Sequence, residues 1–137
     1  MNQLLTITID GACRGNPGLS GIGIVITKDD GESVEYKEYI GKKTNNQAEY
    51  ASLKKALQIA SAIDVEVTIL SDSKLIANRR NNYHKMRNKK LKIAFREVSN
   101  LENHFKRVIY KYIPRKKNIR ADLLANQAID EYLKYQK

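Results

Sequence analysis

The segment Val65–Leu70 most narrows what this chain can fold into. Apart from Glu66 it is aliphatic or β-branched, and Ser71-Asp72-Ser73 follows it at once. Such a run reads as an interior strand of a parallel sheet, apolar because helices cover it. A parallel strand reaches its neighbour only through a long crossover, so helices must flank it in sequence. The chain supplies them. Thr44-Asn45-Asn46 opens a helix with Leu53, Ala56, Leu57 and Ala60 at helical spacing. After Asp72 a short helix runs to about Arg80, and a longer one from about Lys89 to Phe105. Val108–Ile113 is the next strand, ended by Pro114, and Asn118 caps a last helix.

The opening has another period. Leu4–Asp10, Gly21–Thr27 and Ser33–Ile40 read as three strands, the last two joined by a turn at Lys28-Asp29-Asp30-Gly31. The order β-β-β-α-β-α-α-β-α implies an α/β chain with a mixed sheet flanked by helices. At 137 residues, one domain over 1–137 is expected.

Charge narrows the partner. There are 25 Lys and Arg against 15 Asp and Glu. Sixteen of these cations fall in two acid-free tracts, Ser73–Arg96 and Phe105–Ala121, a distribution that favours a nucleic acid over a membrane. No apolar run approaches a membrane span, no basic leader opens the chain, and Cys13 is the single cysteine. The expected setting is the reducing cytosol, with no membrane contact.

Four acids stand where surface charges do not belong. Asp10 ends the first strand, Glu49 lies in the first turn of the first long helix, Asp72 follows the apolar strand, and Asp122 lies in the first turn of the last helix. Singly, each suits a turn or a helix dipole. Together they point elsewhere, since Asp10 and Asp72 end two strands predicted to be neighbours, and ligands gather at strand carboxyl ends. Crowded carboxylates repel one another and are hard oxygen ligands, which fits Mg²⁺ or Mn²⁺.

The motifs carrying these acids resemble a known family. Thr8–Gly18 resembles the first-strand motif of type 1 ribonuclease H, Thr44–Tyr50 its first-helix motif, Ser71-Asp72-Ser73 its fourth-strand motif and Asn118–Asn126 its last-helix motif. The resemblance implies the ribonuclease H fold, a five-stranded mixed sheet in order 3-2-1-4-5 with strand 2 antiparallel. It implies endonucleolytic hydrolysis of the RNA strand of RNA–DNA hybrids with two divalent ions, leaving 5′-phosphate and 3′-hydroxyl ends. Asp10, Glu49, Asp72 and Asp122 match the metal-binding carboxylates, with Asp10 bridging both ions and Glu49 near the RNA 2′-hydroxyl.

Gly11, Asn16, Asn45 and Asn46 match substrate-contacting positions, and Lys42, Thr44 and Asn88 match a pocket for a DNA-strand phosphate. Many members insert a basic helix with tryptophans where only Asn81–Arg87 stands here, so the chain looks like the compact, handle-free branch. Many also carry a histidine in the loop before the last carboxylate. Here that loop reads Ile113–Asn118 without one, and Arg115 is the candidate turnover aid. Cys13 is expected to be a packed thiol, Tyr36, Tyr39, Tyr110 and Tyr112 sheet-packing residues, and His84 and His104 surface residues. A monomer is expected. The competing readings are an inactive hybrid-binding module on the same fold and a broader nuclease that also cuts duplex RNA.

Overall fold

The computed structural model describes residues 3–61, 65–82 and 86–136, so Tyr83 and His84 lie outside the described residues. Five strands form one sheet in the order β3-β2-β1-β4-β5. They are β1 (Gln3–Gly15), β2 (Gly18–Lys28), β3 (Ser33–Lys43), β4 (Val65–Ser71) and β5 (Arg107–Tyr112). β1 pairs antiparallel with β2 and parallel with β4, while β4 pairs parallel with β5. The helices are α1 (Asn45–Ile59), α2 (Lys74–Ala77), α3 (Arg79–Asn82), α4 (Lys89–Glu102) and α5 (Ile119–Lys134).

The hairpin is longer than its apolar residues foretold. Pairing with β2 carries β1 past Asp10 to Gly15, through polar and glycine positions that hydropathy does not mark as strand. β4, by contrast, pairs with β1 only as far as Thr8↔Leu70. Asp10 therefore sits where β1 parts from β4, inside a strand rather than at its end.

The main core lies on one sheet face. Ile7, Ile9, Val67, Ile69 and Val108 pack there against Leu53 and Leu57 of α1 and Val98 of α4. α5 packs along β2, reaching β1 and β3. Its approach depends on Gly23, where an added Cβ would fall 2.0 Å from the Ala121 carbonyl oxygen. β4 alternates buried Val65, Val67 and Ile69 with half-buried Glu66, Thr68 and Leu70. Its burial is thus one-sided, which explains the glutamate and threonine in a strand expected to be covered on both faces.

Caps fix the helix starts. Thr44 and Gln47 form a reciprocal capping box at α1, Ser73 caps α2 through the Ile76 N–H, and Asn88 caps α4 through the Leu91 N–H. Asn118 departs from expectation, making no side-chain cap. Its buried Nδ2 instead donates to the Ile9 carbonyl at 2.9 Å, tying the start of α5 to β1 beside Asp10.

A candidate metal centre and nucleic-acid cleft

Asp10, Glu49 and Asp72 converge from β1, α1 and the turn after β4. One carboxylate oxygen from each lies within 4.8 Å of the others. Glu49 reaches the cluster because α1 crosses β1 at Gly11. A Cβ on Gly11 would fall 2.5 Å from the Ala48 carbonyl carbon, so only glycine admits the helix this close. The Gly11 N–H then donates to Glu49 Oε1 at 2.9 Å. Glu49 is the fifth residue of α1, just past the first turn expected for it, and that turn holds no acid. A favourable helix dipole is therefore not the reason for a glutamate there.

Burial and mutual repulsion set the electrostatics. Asp10 is 5% exposed and Glu49 8%. Burial pushes the Asp10 carboxyl up to about 9, helped by the charge of Glu49, a hydrogen bond with Asp122 and the charge of Asp72. Burial also raises Glu49, to about 7, with the Asp72 charge adding to it. The Gly11 N–H, a hydrogen bond from Asp10 and the Arg115 charge hold it back. Glu49 Oε2 is buried without a hydrogen-bond partner. An all-oxygen donor set, an orphaned carboxylate oxygen and two carboxyls pushed up by burial and by one another's charge all suit a hard divalent cation. Asp122 is exposed and lines the same cleft, from α5. It accepts a hydrogen bond from Asn126 Nδ2 at 3.3 Å.

The cleft over these acids has a volume of about 470 Å³, with Gly11, Asn45, Asn46, Ser73 and Arg115 also on its walls. Asn16 stands back from it. Its side-chain oxygen accepts the Asn45 N–H at 3.0 Å, joining the β1–β2 turn to the start of α1. A second cleft of about 490 Å³ is lined by Lys42, Thr44, Asn88, Lys89 and Lys90 among others. The first residues of α4 and three lysines line it, a set of positive groups that suits an anion. Lys89 and Lys90 were not singled out in the sequence, because a lysine run in a basic tract carries no mark of its direction.

Asn118 and Asn126 support the acid site through Ile9 and Asp122, and of the two only Asn126 has a local signal, an asparagine inside a helix one turn after Asp122. Cys13 also borders the acid cleft, with Sγ 2.8 Å from Ser20 Oγ. Burial raises its thiol, which fits a packed group rather than a nucleophile. Among the tyrosines, Tyr110 is half-buried and bonded to Arg79, and Tyr39 stacks on Tyr132 of α5. Tyr112 is exposed instead of packed.

The family described as reverse transcriptase-like matches residues 8–128. The bifunctional protein Rv2228c of Mycobacterium tuberculosis is 37% identical over 129 residues, 92% of this chain and 35% of that protein. Ribonuclease HI of Halobacterium salinarum is 36% identical, over 89% of this chain and 62% of its own length. The chain thus spans about a third of the first relative and less than two thirds of the second. Among solved structures, LC11-RNase H1 in complex with RNA/DNA hybrid superposes with a TM-score of 0.87 at 38% identity, over 94% of this chain and 99% of that one.

Proposed function

The chain belongs to the type 1 ribonuclease H family, and on that footing we propose that it hydrolyses the RNA strand of RNA–DNA hybrids with two divalent ions. The observation that carries this reading is the meeting of Asp10, Glu49 and Asp72 within 4.8 Å, at the floor of a cleft walled by amides. With Asp122 they are the residues that would hold the ions, Mg²⁺ or Mn²⁺. Ions bound there would lower the pKa of an attacking water and stabilise the charge on the leaving 3′-oxygen.

The chain's own residues do the rest. Asn45 and Asn46 side chains both donate and accept, which suits the minor-groove edges of a hybrid. Asn16 holds the Asn45 backbone in place, and Gly11 lets the strand come close. Glu49 stands where a carboxylate can accept from an RNA 2′-hydroxyl, the group DNA lacks. Lys42, Thr44 and Asn88, joined by Lys89 and Lys90, receive a phosphate of the DNA strand. Arg115 borders the acid cleft as a fixed cation that draws on the leaving phosphate. In the reaction the water oxygen bonds to phosphorus, the bond to the 3′-oxygen breaks, and 5′-phosphate and 3′-hydroxyl ends remain. In this reading residues 1–137 act as a single domain, as a monomer in the cytosol.

Incubation with labelled hybrid, duplex RNA and duplex DNA, with Mg²⁺, with Mn²⁺ and with a chelator, tests the proposal. RNA cleavage in the hybrid with either ion, and none in chelator, is expected. Cleavage that survives exhaustive chelation overturns the metal reading. Equal cleavage of duplex RNA widens the substrate class.

A further inference from the structure

β5 ends at the rim of the acid cleft. Its last residue, Tyr112, pairs in register with Ser71, the residue before Asp72. Val108 on the same strand face is buried and Tyr110 half-buried, yet Tyr112 is 49% exposed. Lys74, the first residue of α2, holds its Nζ 6.0 Å from the Tyr112 ring centroid. Arg115 and Lys116 follow in the turn after β5, both exposed.

This cluster lies on the flank opposite the phosphate cleft. In the strand order, the Lys42 end of β3 is one flank and the Tyr112 end of β5 the other, with Asp10 and Asp72 between them. A hybrid whose DNA strand is gripped at the first flank and whose RNA strand lies over the acids continues over the second. There it meets an exposed aromatic ring beside cations, the pairing that stacks a base and neutralises its phosphate. Inside a duplex both faces of every base are covered by neighbouring bases. The Tyr112 ring finds a free base face only where pairing stops.

We propose that Tyr112 and Lys74 form a stacking site for the first unpaired nucleotide of the RNA strand, so that the chain favours hybrids continuing into single-stranded RNA. This rests on the hybrid reading above.

Binding by fluorescence anisotropy in chelator, which holds the substrate intact, compares a blunt hybrid with the same hybrid carrying a short RNA extension at one end or the other. One of the two extensions should tighten wild-type binding by about fivefold or more. Tyr112→Ala should abolish that gain while binding the blunt hybrid as the wild type does. Tyr112→Phe should keep it, and Tyr112→Leu, which retains bulk without a stacking face, should lose it. A fluorescent aminopurine at the first unpaired position should be quenched by the wild type and by Tyr112→Phe only. A gain of equal size in all four proteins, or an equal loss on blunt and extended hybrids, overturns the stacking site. If the blunt hybrid is bound and cut normally without any Tyr112-dependent gain, the stacking site alone fails. If no hybrid is bound or cut, the hybrid reading fails with it.

Discussion

Asp10 holds its proton to about 9 in the folded chain, against 3.8 ordinarily, and Glu49 to about 7 against 4.5. Between those limits the folded state binds more protons than the unfolded one. The stability this contributes is complete below about pH 4 and is lost as pH rises through 7 and towards 9. In chelator, the Tm should therefore fall across that window. Asp10→Asn, neutral at every pH and relieving Glu49, should raise the Tm at pH 9 by a few degrees, at least about 1 kcal/mol, and flatten the profile. Added Mg²⁺ or Mn²⁺ should recover the wild-type loss and leave the variant largely unmoved. The same variant should cleave at a small fraction of the wild-type rate, about a hundredth or less, with hybrid binding kept. Thermal melts and cleavage assays on one preparation check both. Arg115→Ala should slow steady-state turnover several-fold while barely changing single-turnover cleavage. Arg115→Lys should retain part of the rate, since the charge stays and the planar fork is lost. Equal rates in both regimes would remove Arg115 from the reaction.

The helices bring these side chains together by close backbone approach. α5 is seated on β2 through Gly23, on β3 through ion pairs of Arg120 with Glu35 and Lys37 with Glu131, and on the β1 end through Arg14 with Asp130. Such exposed pairs contribute little each, so the glycine contact dominates. Gly23→Ala should cost about 1–3 kcal/mol by overpacking, read as a lowered denaturation midpoint. Because the displaced helix carries Asp122, cleavage should fall further than the lost folded fraction accounts for. Elements of this kind were partly legible in the sequence. The long helices show themselves by period, β4 by its apolar run and α2 by the Ser73 cap, whereas the far half of β1 carries no such mark. The roles of Asn118 and Glu49 were not legible. Asn118 looks like any helix cap until its partner Ile9, 109 residues away, is placed beside it. The helix start at Thr44–Asn45 is legible, but that Glu49 faces Asp10 depends on the close crossing of α1 over Gly11, which no local pattern shows.

Over the whole molecule, several of the described cations are tied into the fold and others line the clefts or stand at their rims. Arg79 is only 1% exposed. Its guanidinium bonds Tyr110, Ser99 and Glu102 and lies 4.2 Å from the Phe95 ring. Arg80 donates to the Val108 carbonyl and Arg120 pairs with Glu35. Clustering in the sequence pointed to nucleic acid without separating these from the cations that face the clefts, because burial depends on which helix face meets β5. Lys42, Lys89 and Lys90 on one flank, with Lys74, Arg115 and Lys116 on the other, make six candidates for phosphate contact. Titrating the hybrid from low to physiological salt should then give a log–log slope of about −5. A flat response would mean that these cations do not neutralise the backbone.

The seating of α5 also divides the acid site between two pieces of chain that can part company. Residues 3–117 carry Asp10, Glu49, Asp72 and the six cations, whereas Asp122 lies on α5 and the Asn118 tether directly before it. Loosening α5 alone would therefore withdraw one carboxylate from the cleft while leaving the other three and the cations in place.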